Sequence, residues 1–176
     1  MALLKILTYP DPFLKKVAQP VTVFNEALET LVQDMAFTMY AEPGIGLAAT
    51  QVGEDKRLFV MDVFYNREDP ESKKQPVAVI NPEIIQAEGE SCVEEGCLSV
   101  PEFRAEVKRS AEIVLRFQDL QQEVHEMKAE GLLAICIQHE LDHLNGRLFI
   151  DLLPPLKRRI IQTKLKKRAS EQSKAG

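Results

Sequence analysis

Two histidines four residues apart, with a glutamate beside the first, form the most chemically specific feature of this sequence: His139-Glu140-Leu141-Asp142-His143. Residues at i and i+4 of a helix project from one face, so both imidazoles can reach a single metal ion. Glu140 is one position on, close enough to touch a coordinated water without occupying a ligand position. The chemistry of such a site is hydrolysis. The cation lowers the pKa of its water from 15.7 to roughly 7, and the carboxylate handles the proton. An exposed, charged helix face is the plainer alternative, and the apolar helical context argues against it.

Two histidines do not complete a catalytic site, which takes three protein ligands and leaves a position for water. In the pattern H-E-x-x-H-x-x-G-x-x-H the glycine is present as Gly146, but the last position is Phe149, which excludes the metzincin peptidases. The gluzincin peptidases take a downstream glutamate, and the only one after His143 is Glu171, in a charged tail. His125 and the three cysteines remain. His125 lies among charged residues and reads as a surface histidine. Cys92 stands in a polar stretch with no supporting pattern. Cys136 lies one turn before His139 on the same helix face, although Ile135 and Ile137 beside it favour a pocket-lining role. Cys97 has a glycine before it and an extended segment after it, an arrangement that lets a thiolate approach a metal. Spacing favours Cys97 but leaves Cys136 open.

The elements that must position these residues can be read from periodicity. Asn25 is a natural N-cap for a helix with Leu28, Leu31, Val32, Met35 and Met39 at helical spacing, ending near Tyr40. Glu42-Pro43-Gly44-Ile45-Gly46 breaks it. Strands are expected at Arg57–Val63, Val77–Ile80, Glu83–Gln86 and Ile113–Asp119, the last forming a hairpin with Glu123–Met127. An exposed loop separates the first two, from Asn66 to Pro76. Helical spacing returns from Gly131 to Leu144, with Asn145-Gly146 as a stop. Pro154-Pro155 opens a final helix with Leu156, Ile160, Ile161 and Leu165 as its apolar stripe. Strands in the middle and helices at the ends predict an α+β fold, with antiparallel or mixed sheets packed around the His139–His143 helix. The expected organisation is one catalytic domain over residues 1–153 and a basic helical tail over 154–176.

Composition agrees with a soluble globular domain, at 45% hydrophobic and 28% charged residues in 176. The net charge of −5 conceals an asymmetry: residues 157–176 carry +7, and the body before them carries −12. A basic tail on an acidic body points to an anionic partner for the tail alone. Three cysteines fit a reducing compartment rather than a disulfide framework. With no readable signal peptide and no apolar run of membrane length, the cytoplasm is the expected location and no membrane partner is expected.

Gly44-Ile45-Gly46-Leu47-Ala48-Ala49-Thr50-Gln51, Glu95-Gly96-Cys97-Leu98-Ser99 and Gln138-His139-Glu140-Leu141-Asp142-His143 together resemble the three signature motifs of the peptide deformylases, in that family's order and spacing. The resemblance runs from Tyr9-Pro10-Asp11-Pro12 to Leu153-Pro154. The basic C-terminal helix is similar to that of deformylases found in many Gram-negative bacteria, and the loop from Asn66 to Pro76 is longer than usual. The resemblance implies removal of the formyl group from formyl-methionine at the N-terminus of nascent chains. It makes Cys97, His139 and His143 the metal ligands and Glu140 the catalytic acid/base. The Gln51 side-chain amide and the Leu98 backbone N–H become donors to the oxyanion.

It also implies an apolar slot for the methionine side chain from Ile45, Val93, Leu132, Ile135 and Cys136. The backbones of Ile45, Gly46 and Gly96 would pair with the peptide, and Arg104 would hold its downstream part. Fe²⁺ is the implied native ion, with Zn²⁺, Ni²⁺ or Co²⁺ as substitutes; the ligand set alone would have pointed to zinc. Ribosome contact falls to the basic tail, and no DNA partner is expected. Two rivals stand beside this reading: another H-E-x-x-H metallopeptidase, and a zinc-binding protein without catalysis. Neither accounts for Glu140 and Gln51 together.

Overall fold

The computed structural model describes residues 1–175. Helix α1 (Glu26–Ala41) starts where expected, with the Asn25 side chain accepting from the Leu28 N–H and two glutamates in the first turn favouring the helix dipole. Seven strands follow: β1 (Gly46–Ala48), β2 (Leu58–Met61), β3 (Val77–Glu88), β4 (Ser91–Cys97), β5 (Val100–Arg109), β6 (Glu112–Gln118) and β7 (Val124–Glu130). Helix α2 (Gly131–Leu144) and helix α3 (Pro155–Ala175) complete the chain, with short 3₁₀ turns at Pro12–Lys15, Ala49–Val52 and Phe149–Leu152.

Five strands form one sheet in the order β1-β2-β3-β6-β7, and β4 and β5 form a second. Every pairing is antiparallel. The fold is α+β, and of the two sheet types expected it takes the antiparallel one.

Strand β2 shows why two helices are needed. All four of its residues are buried, and successive side chains leave opposite faces of a sheet. Phe59 and Met61 enter a core with Ile113, Leu115 and the α2 residues Ala134, Ile137 and Leu144. Leu58 and Val60 enter another with Leu28, Met35 and Met39 of α1. Each large apolar side chain so enclosed contributes about 1.5–3 kcal/mol. A third core joins Val100, Ala105 and Val107 of β5 to Phe149, Ile150 and the α3 residues Ile161 and Leu165. The α2 helix and the β4–β5 sheet therefore belong to different cores.

Several expectations need correction. The two strands expected at 77–80 and 83–86 are one strand, β3, whose register shifts between Ile80 and Glu83. Asn81 there takes a left-handed φ of 52° ahead of Pro82, a kink that the sequence presents as a break. The apolar stripe of α3 is narrower than its spacing indicates. Ile161 and Leu165 are buried, whereas Leu156 is 72% and Ile160 47% exposed, because only one row of the helix meets the body. The β4 strand was not foreseen, and β5 only as an extended segment after Cys97. The sharp stop after α2 is as expected: Gly146 has φ 76°, and a Cβ there would run into the Lys15 carbonyl.

Candidate metal centre

The ends of two elements meet at the site. Cys97 is the last residue of β4, and His139 and His143 lie one turn apart on α2. Their ligand atoms lie within 4.8 Å of one another. Cys97 Sγ is 3.3 Å from His143 Nε2, which is 3.1 Å from His139 Nε2. Tetrahedral coordination at about 2.0–2.1 Å to nitrogen and 2.3 Å to sulfur requires ligand separations on the order of 3.3–3.7 Å. The three atoms fit one cation. Of the cysteines left open by spacing, Cys136 is not in this group: its thiol faces the Ile45 carbonyl at 3.7 Å. Cys92 is exposed on β4. His125 lies exposed in the β6–β7 hairpin, 2.7 Å from Asp119.

The two imidazoles differ at their second ring nitrogen, since that of His143, Nδ1, is buried without a hydrogen-bond partner among the described residues. His139 Nδ1 lies 2.8 Å from Glu95 Oε1, so an N–H there donates to the carboxylate and Nε2 is left to the cation. Burial, the largest cause, holds His143 well below its ordinary value. Burial alone would raise Glu95, but hydrogen bonds from Arg109 and His139 and their charges bring it down to about 2. Glu95 is thus a fixed anion beneath the ligands.

Glu140 has a different environment. Its side chain is buried, and Oε2 has no hydrogen-bond partner among the described residues. Burial pushes its carboxyl up to about 7. An unpartnered buried oxygen is costly unless something polar completes it.

Gln51 is 2% exposed, in the 3₁₀ turn after β1. Its Oε1 accepts from the Ala48 N–H at 2.9 Å, which fixes the amide so that Nε2 points the other way. There Nε2 donates to Ser99 Oγ at 3.1 Å and lies 3.6 Å from Cys97 Sγ. Leu98 occupies the turn from β4 to β5, beside the sulfur.

The polypeptide deformylase family model matches residues 3–159 of this chain. The chain belongs to the peptide deformylase family. It is a hydrolase, and the reaction of its family is removal of the N-formyl group from nascent peptides. Among its relatives, the peptide deformylase of Tolumonas auensis is 51% identical over 98% of this chain and 99% of that protein. The crystal structure of a peptide deformylase from Legionella pneumophila matches with a TM-score of 0.87 at 44% identity, covering 98% of each chain. A Met-Ala-Ser-bound crystal structure of the class I type b enzyme from Acinetobacter baumannii matches at 0.79 and 34%, over 86% of this chain and 99% of that one.

In this deformylase a cavity of about 770 Å³ opens onto the centre. Ile45, Val93, Leu132, Ile135 and Cys136 all line it, as do Gly46, Gly96, Leu98 and Arg104. Arg104 is turned toward Glu94, with Nε donating to Oε1 at 3.0 Å. Gly46 is packed too closely for any side chain: a Cβ would stand 2.7 Å from Glu140 Oε1 and 2.9 Å from Cys136 Sγ. Gly46→Ala is therefore expected to leave the fold intact but displace the Glu140 carboxylate. Since a misplacement of about 1 Å can cost on the order of 100-fold in rate, kcat should fall by that order in a steady-state assay, and the thermal midpoint should drop as well, because overpacking a closed site costs about 1–3 kcal/mol. Sequence reasoning assigned no role to Glu95, Arg109, Asp142 or Ser99. Glu95 lies inside a signature motif, a usable signal, but nothing near Arg109 marks it.

Proposed function

We propose that Cys97, His139 and His143 hold one divalent cation and that Glu140 is the proton carrier of the deformylation. The observation that carries this is the convergence of one sulfur and two ring nitrogens at 3.1–3.3 Å beside a buried carboxylate oxygen without a partner. When bound, the cation supplies Lewis acidity, activating water at neutral pH. Glu140 removes a proton from the attacking water and returns it to the departing amine, so the C–N bond breaks to give formate and a free N-terminus. Gln51 Nε2 and the Leu98 N–H receive the charge that builds on the formyl oxygen. The Gln51 amide is anchored through Oε1, so Nε2 stays at the site and has only to exchange its contact with Ser99 Oγ or Cys97 Sγ for the formyl oxygen.

The substrate is a formyl-methionyl nascent peptide. Ile45, Val93, Leu132, Ile135 and Cys136 form the methionine slot. Strand β1 ends the five-stranded sheet and β4 has only β5 beside it, so each offers an unpaired edge at the same cavity. The backbones of Ile45, Gly46 and Gly96 pair there with an extended peptide as an added strand. Arg104 exchanges Glu94 for the downstream peptide. Family likeness supports Fe²⁺ as the native ion, with Zn²⁺, Ni²⁺ or Co²⁺ able to replace it.

Residues 1–153 act as the catalytic domain and 154–176 as a docking tail in the cytoplasm. No helix among the described residues is long and apolar enough to cross a membrane. The eight basic residues of 157–176 favour ribosomal RNA over DNA, and such binding weakens steeply with salt. The full chain is expected to pellet with ribosomes at low salt and not at high salt, and glutamine at the exposed Lys157, Arg159, Lys164, Lys166 and Lys167, which spares the buried Ile161 and Leu165, should abolish pelleting as should removal of 157–176. Equal pelleting of the shortened chain would dispose of the docking role.

The reaction itself is tested by incubating formyl-Met-Ala-Ser with protein purified without oxygen. Formate and intact Met-Ala-Ser are the expected products. Internal cleavage would indicate a peptidase, and metal-loaded protein that releases nothing would indicate a non-catalytic site.

A further inference from the structure

The proposed ligands draw on two different cores. Cys97 packs with the β5–α3 core, whereas α2 packs with the five-stranded sheet, and no strand pairing connects the sheets. The cores touch where the His139 ring stacks on Phe149, and polar ties add the directional part of how the sulfur meets the imidazoles. We infer that Arg109, at the end of β5, is the positioning residue that fixes this register and thereby sets how tightly the cation is held.

Its side chain is 5% exposed. Nε and Nη2 donate to the two oxygens of Glu95 at 2.8 and 2.9 Å, and Nη1 donates to Asp142. Glu95 stands two residues before Cys97 and also accepts from His139. Asp142 immediately precedes His143. One guanidinium therefore reaches the segments of all three ligands. A neighbouring tie reinforces the same seam: Gln138, immediately before His139, accepts from the Ser110 N–H and donates to the Ser110 carbonyl, both at 2.9 Å. The residue before each histidine thus grips the end of β5. The planar fork of arginine holds one carboxylate with two nitrogens and leaves a third for the other; a lysine ammonium cannot reproduce that geometry.

This inference rests on the metal reading of Cys97, His139 and His143, and its test keeps the two apart. Apo protein is titrated with cobalt(II), following the thiolate-to-cobalt absorption band and the cobalt-induced rise in thermal midpoint. The unaltered chain should bind one cobalt with a sulfur band; without that band the metal reading falls, and this inference with it. Asp142→Asn and Arg109→Lys should keep the apo midpoint and the band while binding cobalt about 10–100-fold more weakly, the usual effect of losing a group that orients ligands. At saturating cobalt both should deformylate with unchanged KM and recovered kcat. Should Arg109→Lys fail to fold, Asp142→Asn decides alone, since its side chain is 21% exposed and only one arm of the tie is cut. Cobalt affinity equal to that of the unaltered chain overturns the inference, as does turnover that stays low at saturation.

Discussion

Glu140→Ala is expected to keep one cation per chain and to lose turnover by about 10²–10⁴-fold, the range for removal of a positioned general acid/base. Retention follows from geometry, because the converging donors are Cys97 Sγ and the two Nε2 atoms, and the carboxylate is not among them. The loss follows because the other acids lining the cavity are drawn elsewhere: Glu94 pairs with Arg104 and Glu102 with Arg168, both at exposed positions. Glu95 lines it too, but both of its oxygens are committed to Arg109 and His139. Stability should not fall, since the substitution removes a buried oxygen that has no partner among the described residues. Metal analysis with formate release on one preparation checks all of this. Loss of the cation along with activity would make Glu140 a structural residue.

Cys97→Ala is expected to have the opposite signature, with cation and turnover lost together. Two histidines remain, but in the proposed site the thiolate is the negatively charged ligand, and its sulfur lies 3.3 Å from His143 Nε2. Affinity should fall by more than about 100-fold, beyond the loss typical of groups that only orient a ligand. Cys136→Ala is the internal control: its thiol faces the Ile45 carbonyl, so its replacement should leave cation content unchanged. Equilibrium dialysis against Co²⁺ separates the two variants.

The histidine pair is legible in sequence because i, i+4 spacing encodes a shared helix face whatever surrounds the helix. The cysteine is only partly legible, because spacing favours Cys97 yet leaves Cys136 open, and the choice between them rests on where tertiary structure points each thiol. That direction depends on how β4 abuts α2, where Arg109 joins Glu95 to Asp142. Strand β4 escaped notice because Glu95 faces inward between exposed Glu94 and half-buried Gly96, so its inward face is not the apolar row that marks a strand. Strand β5 does alternate, with Phe103, Ala105 and Val107 inward and Arg104, Glu106 and Lys108 outward, and only the buried Arg109 at its end breaks the pattern. A buried ion pair looks, in sequence, like two surface residues. The β3 kink at Asn81 hid in the same way behind an Asn-Pro pair that reads as a turn. The α1 helix is recoverable because cap, apolar face and stop agree, and α2 because its apolar face and the Asn145-Gly146 stop agree although no side chain caps its start.

X-ray absorption at the metal edge of protein purified without oxygen bears most directly on the centre. One sulfur at about 2.3 Å with two imidazole nitrogens at about 2.0–2.1 Å is the expected first shell, one cation per chain. A shell of nitrogen and oxygen alone, in protein that still releases formate from formyl-Met-Ala-Ser, would show that the Cys97 thiolate takes no part and that the site is built otherwise.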